Sequence, residues 1–200
     1  TNAGAVRFEQ RTRRTLDELD TTGQYKHLQM IEGPMGPTIE IRDRGPVDCF
    51  CSNNYLGLAN HPEIRKADAD ASRDWGLASP MGARMMSGNT DHHEKLEREL
   101  AEFIHKEEVI LLNYGYQGMV SAIDCLLDRR DVVIYDSESH ACIVDGIHLH
   151  QGKRFVFPHN NIENLEKQLE RASKLVEGTN GAILVITEGV FGMDGDQGDL

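Results

Sequence analysis

The sequence predicts an α/β fold, in which a mostly parallel sheet carries helices on both faces. Short apolar runs, mostly β-branched or aromatic, alternate with longer stretches of helical periodicity, the pattern of successive β-α-β units. Because the runs lack polar alternation, they are expected to be buried on both faces. The predicted strands are residues 109–112, 132–135, 155–157 and 183–186, and the helices among them include 117–127 and 162–176.

An N-terminal arm is predicted to precede the main domain. Apolar residues spaced among charges indicate an exposed amphipathic helix that ends near Gly23. A run of Gly and Pro then breaks the chain, and two short strands with a turn between them are expected to form a small hairpin. These predictions place the helix within residues 6–28, the break at 33–37, the hairpin strands at 38–42 and 47–52, the arm at 1–48 and the main domain at 49–200.

Two helices and a long loop are predicted near the start of the main domain. Pro62 suits the first turn of a helix over 62–75, and a second helix is predicted from Asp91, or one residue earlier, to His105. The loop between them, residues 76–89, is rich in Gly, Ser and Met and shows no clear periodicity. Irregular loops of this length inside a compact domain are usually functional.

The composition excludes several classes of protein. The chain has 200 residues, is 39% hydrophobic and carries 21 Lys and Arg against 33 Asp and Glu, a net charge of −12. This apolar content suffices for a buried core, and the acidic balance argues against a nucleic-acid partner. No run approaches the roughly 18 apolar residues of a membrane span, and the first residues do not resemble a signal peptide. A cytoplasmic protein without an integral membrane segment is therefore expected.

The four cysteines show no zinc spacing. Reduced and mostly buried thiols are expected, with Cys49 and Cys51 on the same face of one strand. The adjacent His92 and His93 do not make a metal pair, because neighbouring helix residues do not face one another. No metal site is predicted.

The turn at 114–118, which reads Tyr-Gly-Tyr-Gln-Gly, follows a predicted strand and opens a helix. Backbone N–H groups and the helix dipole at such a turn can hold a phosphate, and Gly115 allows close approach. The turn is neither of the common nucleotide loops, because the Lys of a P-loop and the third Gly of a dinucleotide fingerprint are missing. Gly115 and Tyr116 are candidates for cofactor binding, and a plain strand-to-helix turn is the alternative.

Polar residues also follow other predicted strands. His140 and Glu188 each come just after a strand, and Asn53 follows the hairpin. Because ligands bind beyond the carboxyl ends of parallel strands, His140 and Glu188 are candidates for one crevice with the turn at 114–118, and Asn53 is a candidate through the motif described below. Each has a simpler reading: a histidine that only satisfies the core or surface, a solvated glutamate and an Asx turn. Asp194 and Asp196 fill too few positions for a calcium loop, so a turn is expected there.

Several strings match one known family in its order along the chain. They are Ser-Asn-Asn-Tyr-Leu-Gly-Leu at 52–58, Asp136 with His140-Ala141 and Asp145-Gly146, and Thr-Glu-Gly-Val-Phe-Gly-Met-Asp-Gly-Asp at 187–196. These segments resemble the α-oxoamine synthases, acyltransferases that join an amino acid to an acyl thioester, usually with loss of carbon dioxide. The resemblance implies a fold-type I transferase, pyridoxal phosphate as cofactor and a homodimer. It also implies that His140 stacks on the pyridine ring and that Glu188 orients the cofactor-side network with Asn53, whose amide contacts substrate or cofactor.

The same resemblance suggests substrate contacts in the loop at 79–88, which reads Ser-Pro-Met-Gly-Ala-Arg-Met-Met-Ser-Gly. Arg84, Met85 and Ser87 are its candidate substrate-binding residues. Relatives with a short dicarboxylic acyl donor place a hydroxyl and an amide here, whereas this chain has apolar side chains. Because methionine adapts readily to an alkyl chain, a long fatty acyl donor is expected, as in serine palmitoyltransferase; an acetyl donor, as in glycine C-acetyltransferase, is the alternative. Alternatively, Met85 and Met86 fill the core beneath the loop.

Three residues of the family lie downstream of its glutamate motif and have no counterpart in this sequence: the pyridine-nitrogen aspartate, a second histidine and the Schiff-base lysine. The chain is therefore expected to be the amino-terminal part of a longer enzyme, and a catalytically inactive partner subunit without the lysine is the alternative. A nucleotide-dependent oxidoreductase on a doubly wound sheet also competes, but its glycine fingerprint is incomplete.

Overall fold

The computed structural model describes residues 3–76 and 80–200. The chain divides after Thr90 into two compact units. The first holds an N-terminal helix, a hairpin, a further helix and a π-helical turn, and the second holds a three-stranded sheet with helices. The predicted domain boundary between residues 48 and 49 stays a prediction.

The first unit begins with helix α1 (Ala3–Thr21), which corresponds to the predicted amphipathic arm. It starts earlier than expected and ends where expected, just before Gly23. Gly23 has a φ of +69°, and the N–H of Gln24 bonds the carbonyl of Leu19. This left-handed conformation favours glycine and ends the helix. No described residue of α1 is buried.

The predicted hairpin consists of β1 (Thr38–Ile41) and β2 (Gly45–Asp48), which pair antiparallel. Asp43 and Gly45 have positive φ values of 66° and 75° and form the tight turn between the strands. Both residue types tolerate this region of backbone conformation, so the turn is encoded locally.

The second hairpin strand ends at Asp48, and the prediction that Cys49 and Cys51 share a strand face is therefore wrong. The N–H of Cys49 still donates to the carbonyl of Pro37, over 2.8 Å. Pro37 has no N–H to return to the opposite strand, so the ladder stops there.

Helix α2 (Pro62–Trp75) has the predicted bounds. Pro62 lies in the first turn, where the missing N–H would have no intrahelical partner anyway. At the other end Gly76 has a φ of +90° and donates its N–H to the carbonyl of Ser72. Beyond it, part of the predicted irregular loop forms a π-helical turn, Arg84–Gly88, called the π-turn below. Residues 77–79 of that loop lie outside the described residues.

From residue 132 onward the second unit alternates strands and helices as predicted. Its sheet consists of β3 (Val132–Asp136), β4 (Lys153–Phe157) and β5 (Ile183–Ile186), in the order β4-β3-β5 with β3 parallel to both neighbours. The long helix over 162–176 has the predicted bounds. The helices are α3 (Asp91–Ile104), α4 (Gly115–Leu126), α5 (Ala141–Leu149) and α6 (Ile162–Val176).

Strand β3 contributes to two cores, one on each face of the sheet, because successive strand side chains point to opposite faces. On one face Val133 packs against residues of α4 and α5, and on the other Val132 and Ile134 pack against β4 and α6. The first core contains Ile123, Val133, Cys142, Ile143 and Ile147, and the second contains Val132, Ile134, Phe155, Phe157 and Ala172. Helices on both faces of a parallel sheet confirm the predicted fold class.

The apolar run at 109–112 is not a strand, so that prediction is wrong. The backbone N–H of Leu111 donates to the carboxylate of Glu97 over 2.6 Å. Ile110 and Leu112 are 75% and 48% exposed. A β-branched, apolar run forms a strand only where another strand pairs with it, and within residues 3–76 and 80–200 none does.

All four cysteines are free thiols, but only Cys142 is buried. Because Cys51 and Cys125 are exposed and Cys49 is half-buried, the expectation of mostly buried thiols is wrong. In the described ranges no group of His, Cys, Asp or Glu side chains has the arrangement of a metal site. Over the same ranges no helix combines the length and apolarity needed to cross a membrane.

Candidate active site

The carboxyl ends of the three parallel strands of the second unit meet at one edge of the sheet. In open α/β sheets this edge is where ligands bind. Polar residues follow each strand there: His140 after β3, His159 after β4 and Glu188 after β5. Two of them were singled out in the sequence, and His159 was not.

His140 and Glu188 contact each other directly. The backbone N–H of His140 donates to Glu188 Oε1 over 2.5 Å, across a sequence separation of 48 residues. Glu188 is half-buried and His140 is exposed. The contact joins the segments that follow β3 and β5, so the structure brings these two predicted site residues together.

The ring of His140 is held at one nitrogen. As the N-cap of α5, His140 accepts the backbone N–H of Cys142 at Nδ1 over 3.1 Å. The Cys142 thiol lies 2.9 Å from the same nitrogen. Because Nδ1 acts as an acceptor, the neutral ring carries its proton on Nε2. One tautomer and one ring position are thereby selected.

The N-terminus of α4 is suited to an anion. Tyr114 is the N-cap, and its side chain makes no capping hydrogen bond. A Cβ built on Gly115 would have no heavy atom of the described residues within 4 Å, apart from its own neighbours and helix backbone, so the space beside this residue is open. Backbone N–H groups and the positive end of the helix dipole favour a phosphate there.

The side chain of Tyr116 points toward α5. Its hydroxyl donates to the carboxylate of Asp145. This hydrogen bond is the main cause that raises the pKa of Tyr116 above its usual value, followed by partial burial and the negative charge of Asp145. The Tyr116 and His140 rings meet edge to face, with centroids 6.1 Å apart and planes at 72°. Tyr116 thus supports the His140 side of the site, and only its backbone remains suited to the predicted phosphate contact.

Helices α4 and α5 approach closely at Gly146. A Cβ at this position would lie 2.9 Å from Ile123 Cδ1 and 3.2 Å from Val120 Cα. The Asp145-Gly146 pair therefore has two functions: the carboxylate binds Tyr116, and the missing side chain lets the helices touch. This contact fixes the N-terminus of α4 relative to the N-cap of α5.

A buried polar network lies beside these residues and was missed in the sequence. Asp136, fully buried at the end of β3, accepts the backbone N–H of Glu138 over 2.8 Å and of Asn160 over 3.0 Å. His159 Nδ1 donates to Asp136 over 2.9 Å, and His159 Nε2 donates to Asp196 over 2.6 Å. The network links the chain after all three strands.

The electrostatics of this network favour a charged histidine. The hydrogen bonds to Asp196 and Asp136 raise the pKa of His159 to about 9. Burial acts to raise the pKa of Asp136, but the N–H groups of Glu138 and Asn160 and the charge of His159 outweigh it, and the pKa is lower than usual. An imidazolium between two carboxylates results. Asp196 belongs to this network and not to a calcium loop.

A short hairpin follows Glu188 and rests on His159. The N–H of Phe191 donates to the carbonyl of Asp196 over 2.9 Å, and the N–H of Gly198 donates to the carbonyl of Gly189 over 3.1 Å. The buried Phe191 ring meets His159 edge to face at 4.4 Å. One signal pointed to His159: like His140, it is a polar residue directly beyond a buried strand.

Asn53 lies in the first unit, in a loop braced by its own amides and hydroxyls. Asn53 Oδ1 accepts the hydroxyl of Tyr55 over 3.2 Å. The neighbouring Asn54 accepts the N–H of Ala59 over 3.1 Å and donates its own N–H to Ser52 Oγ. The Asn53 contact is made with a side-chain hydroxyl and not with a backbone N–H, so it is not the Asx turn of the alternative prediction. The predicted network of Asn53 with Glu188 stays a prediction.

The π-turn of the first unit presents its methionines outward. Met85 and Met86 are 98% and 86% exposed, so the alternative in which they fill a core beneath the loop is wrong. Arg84 donates from Nε and Nη2 to Asn89 Oδ1 over 3.0 and 2.7 Å, and Ser87 is exposed. Turns of this kind are frequent at functional sites.

Comparison with known proteins identifies the family. The sequence matches the family described as Aminotransferase class I and II over residues 49–200. It is 57% identical over 176 residues to a cysteate-C-fatty acyltransferase from Capnocytophaga ochracea, covering 88% of this chain and 42% of that protein. It is 40% identical over 181 residues to an 8-amino-7-oxononanoate synthase from Thermoanaerobacter pseudethanolicus, covering 90% of this chain and 44% of that protein.

The structural comparison agrees. A serine palmitoyltransferase from Sphingomonas wittichii has a TM-score of 0.83 at 28% identity, covering 96% of this chain and 47% of that chain. A serine palmitoyltransferase variant solved with pyridoxal phosphate has a TM-score of 0.84, also at 28% identity, covering 98% of this chain and 48% of that chain. The chain thus spans less than half the length of these relatives. The fold-type I architecture and, at the level of the family, the expected cofactor are confirmed. The chain belongs to the aminotransferase class I and II family, within its α-oxoamine synthase branch.

Proposed function

We propose that the chain is part of a pyridoxal-phosphate-dependent acyltransferase, which joins an amino acid to an acyl thioester with loss of carbon dioxide and yields an α-amino ketone. The observation that carries this proposal is the contact between His140 N–H and Glu188 Oε1. It joins two motif residues at the edge of the sheet where open α/β folds bind their ligands, which supports a shared role in the site. The relatives named above, all acyltransferases or synthases, support the same class of reaction.

The residues of this chain fit pyridoxal phosphate in two places. The uncapped first turn of α4, with open space beside Gly115, suits the dianionic phosphate. The exposed His140 ring, fixed in one tautomer by Cys142, suits the face of a pyridine. When bound, the cofactor supplies an electron sink for the negative charge that develops on the α-carbon of the amino acid.

The other roles belong to the protein. Glu188 holds the backbone of His140 and keeps the ring in register with the α4 turn. Asn53, Arg84 and Ser87 offer an amide, a guanidinium and a hydroxyl, the groups that bind carboxylates. These three residues lie in the first unit, apart from His140 and Glu188 in the second. The motif resemblance is therefore what supports their assignment to substrate binding.

For the acyl donor we favour a long fatty chain. The exposed side chains of Met85 and Met86 offer adaptable apolar surface, and Met81 beside them is 83% exposed. The thioether side chains of Met85 and Met86 offer no hydrogen-bond donor to the free carboxylate at the end of a succinyl donor. The Capnocytophaga relative, named as a fatty acyltransferase, supports this donor and makes cysteate the first amino acid to test.

A homodimer in the cytoplasm completes the proposal. Its support is the resemblance to a family of dimers and the apolar side chains that this chain leaves uncovered, among them Phe50 at 97% and Phe103 at 80% exposure. Sedimentation of the full-length protein at micromolar concentration tests this part of the proposal. A fully active monomer would contradict it.

Absorbance of the full-length protein tests the cofactor and separates the alternatives. We expect a yellow protein whose visible band shifts when its amino acid is added and whose cofactor becomes covalently fixed by borohydride. A partner subunit without the lysine would bind the cofactor without this fixation. An oxidoreductase would instead bind a nicotinamide nucleotide. Protein that stays colourless after incubation with pyridoxal phosphate contradicts the proposal.

A further inference from the structure

We propose that His159 is a positioning residue for the reaction: it ties the segment that leads into His140 to the segment that follows Glu188. The inference rests on the proposed function, because it takes those two residues to be at the reacting centre. His159 itself lies beyond β4, the strand on the far side of β3 from β5. Its imidazole joins Asp136, at the end of β3, to Asp196, in the hairpin that follows β5.

The first half of the tie is Asp136. Its carboxylate accepts the N–H of Glu138, and its backbone carbonyl accepts the N–H of Ser139 over 3.1 Å. These two bonds shape the turn that ends at His140. Since His159 Nδ1 holds the same carboxylate over 2.9 Å, the position of His159 sets the position of that turn.

The second half is Asp196. Its carboxylate accepts a hydrogen bond from His159 Nε2 over 2.6 Å, and its backbone carbonyl closes the hairpin by accepting the N–H of Phe191. Glu188 begins this hairpin and holds His140 from the other side. The contacts therefore form a closed ring that runs from β3 through His159 to the hairpin and back through Glu188.

Asn160 reinforces the tie next to His159. Its Nδ2 donates to the carbonyl of Gln197 over 3.0 Å, and its Oδ1 accepts the N–H of Asp199 over 3.2 Å. Its φ of 51° is in the left-handed region, which asparagine tolerates better than most residues. Two adjacent side chains thus bind the hairpin from the end of β4.

His159 is suited to positioning and not to a role as general base. Both ring N–H groups donate to carboxylates, and an imidazolium has no acceptor atom left to take a proton. Its side chain is 28% exposed, and the buried Phe191 ring covers one side. The imidazole is engaged by Asp136, Asp196 and Phe191, so we assign its effect to the positions of His140 and Glu188.

The test uses the full-length protein with His159→Asn and, as a matched control, His105→Asn. The asparagine amide retains a donor near the Nδ1 position, which keeps Asp136 satisfied, but it does not reach Asp196. His105 is exposed and has a φ of 56°, a conformation that asparagine adopts well. The second variant is Asp196→Ala, which removes the acceptor of the His159 Nε2 hydrogen bond from a side chain that is 40% exposed and so breaks the same tie without altering Asp136 or His159.

Two readouts decide the matter. In the cofactor-free protein, hydrogen exchange should rise together in the peptides covering 137–142 and 187–198 for both tie variants and in neither for His105→Asn. In the holoenzyme, kcat per bound cofactor should fall by about 10- to 100-fold, with KM for the acyl thioester within about threefold, as expected for misplaced reacting groups. Exchange that rises only in 187–198, or an unchanged kcat per bound cofactor, would overturn the inference.

The two readouts also separate this inference from the proposed function. If wild-type protein binds no cofactor and has no acyltransferase activity, the proposed function and the catalytic part of this inference fail together. If wild type is active and the two tie variants match His105→Asn, only the role of His159 fails.

Discussion

Glu188 contacts His140 through the backbone: its Oε1 accepts the His140 N–H over 2.5 Å, while the imidazole Nδ1 accepts the N–H of Cys142. The anchoring of the residue and the placement of its ring therefore depend on different groups. A substitution that removes the ring leaves the Glu188 contact in place.

His140→Asn should lower activity with little loss of stability. Asparagine is a strong N-cap, so it replaces the capping bond to Cys142 while removing the ring. His140→Ala loses both, and it should cost an additional roughly 1 kcal/mol of unfolding free energy. The measurements are kcat/KM and urea unfolding of both variants. Turnover of His140→Asn equal to wild type would remove the ring from the mechanism.

Gly115→Asp should act in opposite directions on folding and on cofactor binding. A carboxylate in the first turn of α4 complements the helix dipole and stabilises the helix by about 0.3–1 kcal/mol. The same charge repels the cofactor's phosphate, so the Kd for pyridoxal phosphate should rise at least tenfold. Gly115→Asn has similar shape without the charge and serves as the control. Equal affinity in the two variants would exclude a phosphate at this turn.

Gly146→Ala should destabilise the fold, whereas Gly115→Ala should not. A Cβ at Gly146 would lie 2.9 Å from Ile123 Cδ1 and 3.2 Å from Val120 Cα. The Val120 Cα is a backbone atom, so it cannot rotate away. Overpacking of this kind costs about 1–3 kcal/mol. Unfolding of the cofactor-free proteins measures both changes. A Gly146→Ala protein as stable as wild type would show that α4 and α5 separate without cost.

Local signals made much of the fold predictable. Helix α2 has a proline in its first turn and a glycine at its end, and α6 begins after Asn161, whose side chain caps it. Such signals act within a few residues, so the sequence contains them. The run at 109–112 shows the limit: its composition suits a strand, but pairing depends on distant segments.

The candidate site likewise contains residues that the sequence predicts and contacts that it does not. The strand-end rule located His140 and Glu188, because polar residues after buried strands share one edge of the sheet. It did not indicate that Tyr116 would bind Asp145 or that His159 would join Asp136 to Asp196. Those contacts depend on how helices and hairpins pack across the sheet, which a linear pattern does not specify.

Stability should decline as pH rises toward 9, and His159 should be the cause. The hydrogen bonds to Asp196 and Asp136 raise its pKa from 6.5 to about 9 on folding. A group with a raised pKa stabilises the fold fully below its unfolded pKa, and the contribution disappears as pH rises through the folded value. Asp136 and Asp196 are the charged groups that face it. The urea midpoint of wild type should therefore fall between pH 6.5 and 9 relative to His159→Asn, and parallel profiles would contradict the assignment.

Met85→Asn should shift the choice of acyl donor toward short or dicarboxylic chains. The wild-type side chain is 98% exposed on the π-turn, where it is available to an alkyl chain. Each buried methylene contributes about 0.8 kcal/mol, so a palmitoyl donor gains affinity that an acetyl donor cannot. An amide removes apolar surface and offers a partner to a distal carboxylate. Met30→Asn, at a methionine that is 54% exposed before the hairpin, is the matched control.

The measurement is kcat/KM of the full-length enzyme for acetyl, succinyl and palmitoyl thioesters. Wild type and Met30→Asn should both prefer palmitoyl, and Met85→Asn should lower the palmitoyl-to-acetyl ratio by about tenfold, the loss expected for roughly two methylenes' worth of contact. Thermal unfolding should be unchanged, since an exposed methionine packs against little within the fold. A wild-type preference for succinyl, or rates independent of chain length, would contradict the fatty acyl assignment, and a preference for acetyl would favour the alternative donor.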